Sequence, residues 1–264
     1  MNSDLRNSAE FSSLRRGTLY VCVLAVIFAL GGLPAWAQNF SSGSDGSDGP
    51  YNPTGVAGTV IIFDPTQFHG SQVGANIFNF TTITIPAGVT VKLSGNTVNG
   101  PVFWLAQGNV DIEGTVDLSG RNGYAAGTQS FYRVPAVPGS GGYAGGVGGV
   151  GAQLAQPGGG TGGGAAGNPY GGGGGAFGGN QFVIPLVGGS GGGGGFNAYN
   201  NGIFQAGGGA GGGALLIASS TQIVVNGIVN ANGGSPGPPT IGAPEVAAAE
   251  RYGLFQMPSR GPAL

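Results

Sequence analysis

Three carboxylates stand close together in a strand-like stretch and are the best candidates for chemistry. Asp111, Glu113 and Asp117 lie within seven residues of one another, and Arg121 follows. Carboxylate oxygens are hard ligands of the kind that Ca²⁺ takes. If all three face the same side of a sheet, they are candidates, on weak sequence grounds, for a calcium site on one outer face. The alternative is that they occupy the solvent-facing positions of alternating strands.

Few other side chains are reactive. His69 has no base or metal partner evident in the sequence, and Ser119 has no partners for a catalytic triad. Both are interpreted as loop or turn residues. Thr82 and Thr84 predict a short outward threonine row of the kind found on ice-binding solenoids. We therefore expect no catalytic residue and no cofactor, with Ca²⁺ as the one alternative.

An internal repeat indicates how these residues are positioned. ITIPAGVTVKLSGN, VDIEGTVDLSGR and IVVNGIVNANGG each contain two short apolar alternations joined by a turn with glycine. Ile83 matches Val110 at an offset of 27, and Val91 matches Val116 at an offset of 25. The second and third copies match throughout at an offset of 113, so Val110 corresponds to Ile223.

The repeat predicts an all-β fold, a short parallel β-helix (solenoid) with a long glycine-rich insertion. Stacked coils bury an apolar face that one coil cannot bury alone. Two apolar columns are expected, with the members Ile83, Ile85, Val110, Ile112, Ile223 and Val225 in one and Val91, Leu93, Val116, Leu118, Val229 and Ala231 in the other. The alternative is two antiparallel hairpins of a sandwich. The third copy has Val224, Asn226 and Asn230 where the second has its carboxylates, so no acidic column is expected.

Segments such as TTITIPAGVTVKLSGN, NVDIEGTVDLSGRNG and GGGAGGGALLIASSTQIVVNG resemble those of exported, glycine-rich, right-handed parallel β-helix proteins of bacteria with a pectin-lyase-like fold. The likeness covers about residues 75–237. It implies a solenoid at the cell surface or outside the cell. The lyases of this fold use calcium and arginine on uronates, but no catalytic motif of theirs is matched here.

The first 37 residues are typical of a signal peptide. Basic residues precede the apolar run Leu19–Leu30, which is shorter than the ~20 residues of a membrane span. Gly31, Gly32 and Pro34 break the helix, and Ala35-Trp36-Ala37 offers small residues for cleavage before Gln38. The protein is thus expected to be secreted or on the cell surface, with no transmembrane segment after cleavage. The alternative is an N-terminal anchor.

Composition divides the rest of the chain. Residues 38–58 are polar and are interpreted as a flexible leader, 59–123 as solenoid coils, 124–213 as the glycine-rich insertion, 214–237 as a returning coil, and 238–264 as a Pro/Ala-rich tail. Glycine makes up 61 of 264 residues. No cysteine follows residue 37, and eight acidic side chains there face five basic ones, so no basic patch for nucleic acid is expected.

Residues 139–213, called the glycine block below, leave two alternatives. A half-glycine segment loses much backbone entropy on ordering, which favours disorder. Polyglycine helices of the polyproline II form could instead pack closely through their backbones. Some phage receptor-binding tips and glycine-rich antifreeze proteins are similar in this respect. Aromatic residues spaced along the block predict a contact surface with the members Tyr170, Phe177, Phe182, Phe196, Tyr199 and Phe204.

Three function classes follow from these observations. A non-catalytic structural or adhesive protein is favoured, with carbohydrate or cell-envelope material as the expected partner. A calcium-dependent, polysaccharide-lyase-like enzyme acting on carbohydrate is the second class. An ice-binding protein is the third.

The export signal gives the first prediction. Expressed in a Sec-competent bacterium, the protein is expected to lose residues 1–37, because the apolar run and Ala35-Trp36-Ala37 direct cleavage before Gln38. Intact mass and N-terminal peptide mapping of the exported protein measure this. An exported chain that still begins at Met1 or Asn2 would contradict it.

Overall fold

Strands form where β-branched and aromatic residues alternate between turns of glycine, asparagine and proline, because such side chains pack well on a pleated surface. The computed structural model describes residues 40–68, 76–127, 133–167, 172–198 and 203–238. These residues contain one short 3-10 helix, Pro65–Gln67, and twelve strands. The strands are β1 Gly49–Tyr51, β2 Val60–Ile62, β3 Ile77–Ile85, β4 Thr90–Lys92, β5 Val102–Ala106, β6 Val110–Ile112, β7 Thr115–Asp117, β8 Gly149–Val150, β9 Phe196–Asn197, β10 Leu215–Ser219, β11 Ile223–Val225 and β12 Ile228–Asn230.

Two parallel sheets carry most of these strands. The first has the order β10-β5-β3-β6-β11, with β1 also paired to β3, and the second has the order β12-β7-β4-β2. All of these pairs are parallel. Strands β8 and β9 form a separate parallel pair within the glycine block. The predicted all-β class is therefore confirmed, with parallel sheets.

Strand pairing arranges the two sheets in four layers. Layer 1 contains β1 and β2, layer 2 contains β3 and β4, layer 3 contains β5, β6 and β7, and layer 4 contains β10, β11 and β12. Val110 pairs with Ile83 and with Ile223, and Val116 pairs with Val91 and with Val229. The predicted register between the three sequence copies is thus confirmed, including the return of the chain beside layer 3 after the glycine block.

The apolar columns are closed to solvent in layers 2 and 3. Ile83, Val91, Val110, Ile112 and Val116 have no exposed surface. Full burial of such a side chain contributes about 1.5–3 kcal/mol. The predicted inward and outward alternation therefore holds in these two layers.

Aromatic rings fill the core beside layer 1. Phe63 meets Phe78 edge to face with 4.8 Å between ring centroids, and Tyr51 stacks on Phe80 at 5.3 Å. Phe68 stacks on Phe63 at 5.1 Å, and Trp104 lies 5.5 Å from Phe63. Such pairs contribute about 0.5–1.5 kcal/mol each beyond the area that they bury. The rings of Tyr51, Phe63 and Phe68 cover this part of the core.

The polar segment at the start of the described chain, residues 40–58, differs from the flexible leader that its composition predicts. Ser44 Oγ donates to Phe80 O at 2.8 Å, and Ser42 Oγ donates to Ala106 O at 2.7 Å. The Ser42 amide also donates to Ser220 Oγ at 3.0 Å. Short hydroxyl side chains thus form hydrogen bonds within β3, at the end of β5 and directly after β10. The described part of the segment, residues 40–58, runs along the layers and includes β1.

The glycine block is held by backbone hydrogen bonds at every third residue. Amides of residues 189, 192 and 195 donate to carbonyls of residues 212, 209 and 206 at 2.8–3.0 Å. Carbonyls of residues 189, 192 and 195 accept from amides of residues 143, 146 and 149 at 2.8–3.0 Å. Residues 188–195 are all buried. Among the described residues, this network supports the ordered alternative over disorder.

Close approach of neighbouring backbones explains why so many of these positions are glycine. A Cβ atom on Gly208 would lie 2.1 Å from Gly192 O, and one on Gly194 would lie 2.0 Å from Val147 O. Real Cβ atoms do not approach carbonyl oxygens so closely. Gly207, which directly precedes Gly208, has more room, since the nearest neighbour of an added Cβ atom would be Gly146 O at 3.2 Å.

Gly208 and Gly207 provide a matched test of this packing. Gly208→Ala is expected to destabilise the protein by about 2 kcal/mol or more, because backbones must separate to admit the methyl group. Gly207→Ala is expected to change stability by less than about 1 kcal/mol, since reduced freedom of the unfolded chain offsets a slight crowding. Thermal melts of the two purified variants measure this. Equal melting temperatures would contradict the close packing of the glycine block.

Candidate functional site

The three carboxylates of the predicted calcium site do not share one face. Asp111 lies on β6 in the first sheet, and Asp117 lies on β7 in the second sheet. Glu113 is exposed in the turn between them. That turn redirects the chain, which separates side chains that are close in sequence. Within the described residues, no group of three or more His, Cys, Asp or Glu is placed to hold a metal ion.

Asp117 is engaged in an ion pair between layers. Lys92 Nζ lies 2.6 Å from Asp117 Oδ2, and the two residues are register partners on β4 and β7. The Ser119 amide donates to Asp117 Oδ1 at 2.9 Å. Burial alone would raise the pKa of Asp117, but the hydrogen bonds from Lys92 and Ser119 and the charge of Lys92 outweigh it and lower the pKa. The pair therefore has a structural role in joining layers 2 and 3.

The outer row through Asp111 is chemically mixed. Thr84 pairs with Asp111, and Asp111 pairs with Val224. One threonine, one acid and one valine therefore stand side by side on three layers. This row forms neither an acidic column nor the continuous threonine ladder of an ice-binding face.

The predicted aromatic surface is divided by the structure. Phe182 is 68% exposed and Phe177 is 43% exposed, whereas Phe196 is half-buried. Phe204 is only 6% exposed, so its assignment to the surface was wrong. The Arg133 guanidinium lies over the Phe204 ring, 5.6 Å from its centroid, and the Phe204 backbone forms an antiparallel bridge with Gly127. The two remaining members, Tyr170 and Tyr199, lie outside the described residues.

Phe182 belongs to an apolar loop, residues 180–186, whose second exposed side chain, Ile184, the sequence analysis did not predict. Ile184 is 73% exposed beside Phe182. Asn180 Oδ1 accepts from the Phe182 amide at 2.9 Å and from the Ile184 amide at 3.3 Å. Between them Val183 has a φ of 56°, which is rare for a β-branched residue. The run FVIPLV within the glycine block was a signal that could have indicated this loop.

The chain directly before the apolar loop lies against a turn of the glycine block, residues 160–163. A Cβ atom on Gly178 would overlap Thr161 Oγ1, and one on Gly160 would lie 2.8 Å from the Tyr143 ring. Tyr143 is 37% exposed. The Tyr143 ring and the backbone at Gly178 therefore both approach the turn of residues 160–163.

Charge is missing from this part of the chain. No Asp, Glu, Lys, Arg or His occurs between Arg133 and Glu245. Arg133 itself donates to Gly148 O at 3.2 Å, Gln153 Oε1 at 2.9 Å and Leu154 O at 3.0 Å. The apolar loop therefore lies in an uncharged stretch of the chain, whose own contacts depend on apolar groups and neutral hydrogen bonds.

Comparison with protein-family models, with curated proteins and with solved structures found no match. The described residues contain no helix with the length and apolar character that crossing a membrane requires.

The Lys92–Asp117 pair predicts a defined dependence of stability on pH. A lowered pKa in the folded state means that charged Asp117 stabilises the fold above its unfolded pKa of about 3.9. This contribution is lost as pH falls through the folded-state pKa. The melting temperature of Asp117→Asn should therefore lie below that of the unmodified protein at about pH 6, and the gap should narrow below about pH 4.

Glu113→Gln is the control for the loss of one carboxylate, because Glu113 is exposed in the adjacent turn. Its melting temperature should stay close to that of the unmodified protein at about pH 6. A gap for Asp117→Asn that stays constant down to about pH 2 would contradict the proposed dependence on charged Asp117.

Proposed function

We propose that the protein is an exported, non-catalytic structural or adhesive component of the cell surface or its surroundings. In this proposal the four layers form a short β-helix solenoid that acts as a rigid support. The glycine block is a bundle of polyglycine II helices that presents the apolar loop to a partner. The partner is carbohydrate or cell-envelope material.

The solenoid part of the proposal is supported by the order of pairing. Each layer is parallel to the next, and the chain meets the layers in sequence order. Equivalent residues of the repeat pair directly, as Val91, Val116 and Val229 do. Coiled stacking of this kind lets each copy bury its apolar face on its neighbours.

The polyglycine II assignment is supported by the threefold pattern of hydrogen bonds. A helix with three residues per turn directs every third amide toward the same neighbour. Residues 189–195 follow this rule, since amides 189, 192 and 195 donate to the segment 206–212, while amides 191 and 194 donate to the segment 156–159. Side chains would block such contacts, which agrees with the 2.0–2.1 Å clearances at Gly194 and Gly208.

The single observation that carries the adhesive role is the exposure of Phe182 and Ile184 on a loop that Asn180 holds in place. Burying one such side chain contributes about 1.5–3 kcal/mol. A loop fixed in advance loses little conformational freedom on binding. Two exposed apolar side chains on a fixed loop are therefore well suited to contact with a partner.

The other two function classes receive less support. A calcium-dependent lyase would need its carboxylates together, whereas Asp111 and Asp117 lie in different sheets and Asp117 is paired with Lys92. An ice-binding face would need a continuous threonine row, and the row that begins at Thr84 continues with Asp111 and Val224.

Binding measurements test the proposal. The mature protein is incubated with isolated bacterial envelopes, with a neutral polysaccharide such as cellulose and with an acidic one such as alginate, and the bound fraction is measured. Phe182→Ser and Ile184→Ser are each expected to weaken binding about tenfold or more, because each removes about 1.5 kcal/mol or more of apolar contact. Added salt should have little effect, since the loop lies in an uncharged stretch.

Phe40→Ser is the matched control, because Phe40 is 51% exposed and lies outside the glycine block. It is expected to bind as the unmodified protein does. Binding that survives both loop substitutions would contradict the role of the apolar loop. Release of unsaturated product from pectin or alginate with Ca²⁺, lost in Asp111→Asn, would overturn the non-catalytic proposal.

A further inference from the structure

The two ends of the layered sheets are finished differently. At layer 1, Tyr51 and Phe63 are 8% and 1% exposed, and their rings cover the apolar columns below them. Phe68 packs against the same rings. At layer 1 the core of the first sheet is therefore closed by residues of the chain itself.

At layer 4 the same columns are open. Ile83 and Val110 are fully buried in layers 2 and 3, but their partner Ile223 is partly exposed. Val225 is 37% exposed, although its partner Ile112 is fully buried. Further exposed apolar residues of layer 4 are Leu216 at 38% and Ile228 at 55%.

The strands of layer 4 are also unprotected edges. Among the described residues, β10, β11 and β12 each pair with one neighbour only, in layer 3. Exposed edges in monomeric proteins usually carry lysine, proline or a bulge that prevents pairing with another chain. Residues 215–230 contain no proline and no charged residue. Nothing in their composition therefore opposes the addition of another strand.

We propose that a second copy of this chain covers layer 4, with two layer-4 edges meeting about a twofold axis. In such a contact the same surface of both copies is used, and a residue near the twofold axis meets its own copy. A charged residue there would face a like charge. Residues 215–230 are uncharged and meet this condition. The facing edge strands then run antiparallel, and the columns that end at Ile223 and Val225 become continuous between the two copies. Assembly stops at two, because a twofold contact uses the layer-4 edge of both copies.

Other occupants would give different results. Residues 239–264 of the same chain would cover layer 4 without any change in mass. A head-to-tail contact between layer 4 and layer 1 would continue beyond two copies. The twofold contact is independent of the proposed adhesive role, because it uses none of the residues of the apolar loop.

The test measures the mass of the mature protein in solution by light scattering and sedimentation, over a series of concentrations. The unmodified protein is expected to have twice the mass of one chain. Ile228→Lys is expected to have the mass of one chain, because it places a charge in an apolar contact with its own copy. Ile62→Lys is the matched control on the edge strand of layer 1, since Ile62 is 49% exposed and Ile228 is 55% exposed. It is expected to remain a dimer.

Circular dichroism melts of both variants establish that they are folded. A protein that is monomeric at every concentration would overturn the proposal, as would a dimer that persists in both Ile228→Lys and Val225→Lys. Masses above two chains that Ile62→Lys also reduces would replace the twofold contact with head-to-tail assembly. Hydrogen exchange tests whether residues 239–264 of the same chain cover layer 4. Slow exchange of the β10–β12 amides in a monomer would show that the chain covers its own edge.

Discussion

Every buried backbone amide in this molecule must find a hydrogen-bond partner, and the rest of the structure depends on how that requirement is met. In the four layers it is met by parallel ladders, in which Val110 lies between Ile83 and Ile223. In the glycine block it is met between extended segments at every third residue. The parallel ladders are accompanied by columns of apolar side chains, whereas the close approach of segments in the glycine block requires residues without side chains.

The two parts of the fold support one another because the chain passes from layer 3 into the glycine block and returns in layer 4. The Ser140 amide donates to Leu93 O at 3.3 Å, and the Gly213 amide donates to Leu118 O at 2.8 Å. Ordering glycine costs more backbone entropy than ordering any other residue. Attachment of both ends of the glycine block to the layers reduces the freedom that it must lose.

The proposed adhesion and self-association depend on exposed surfaces and not on a cluster of charged side chains. Asp117 is committed to Lys92, and the glycine block carries no charge. What projects from it are apolar side chains on a loop held by Asn180. The open edge at layer 4 is a second surface of different character, because its strands offer backbone groups as well as side chains. The proposed adhesion and the proposed self-association therefore use two different surfaces of the same chain.

The repeat by itself determined the strands and their register. Alternation within a strand and glycine at the turns are local patterns, so matching Ile83 with Val110 and Ile223 also matched them in space. Only the tertiary structure decided that Asp111 and Asp117 part at a turn, that Phe204 is buried while Phe182 is exposed, and that Ser42 joins distant layers. In a glycine-rich chain these outcomes depend on which segments pack together. Because glycine has no side chain, runs of glycine are alike in sequence and do not indicate which segments these are.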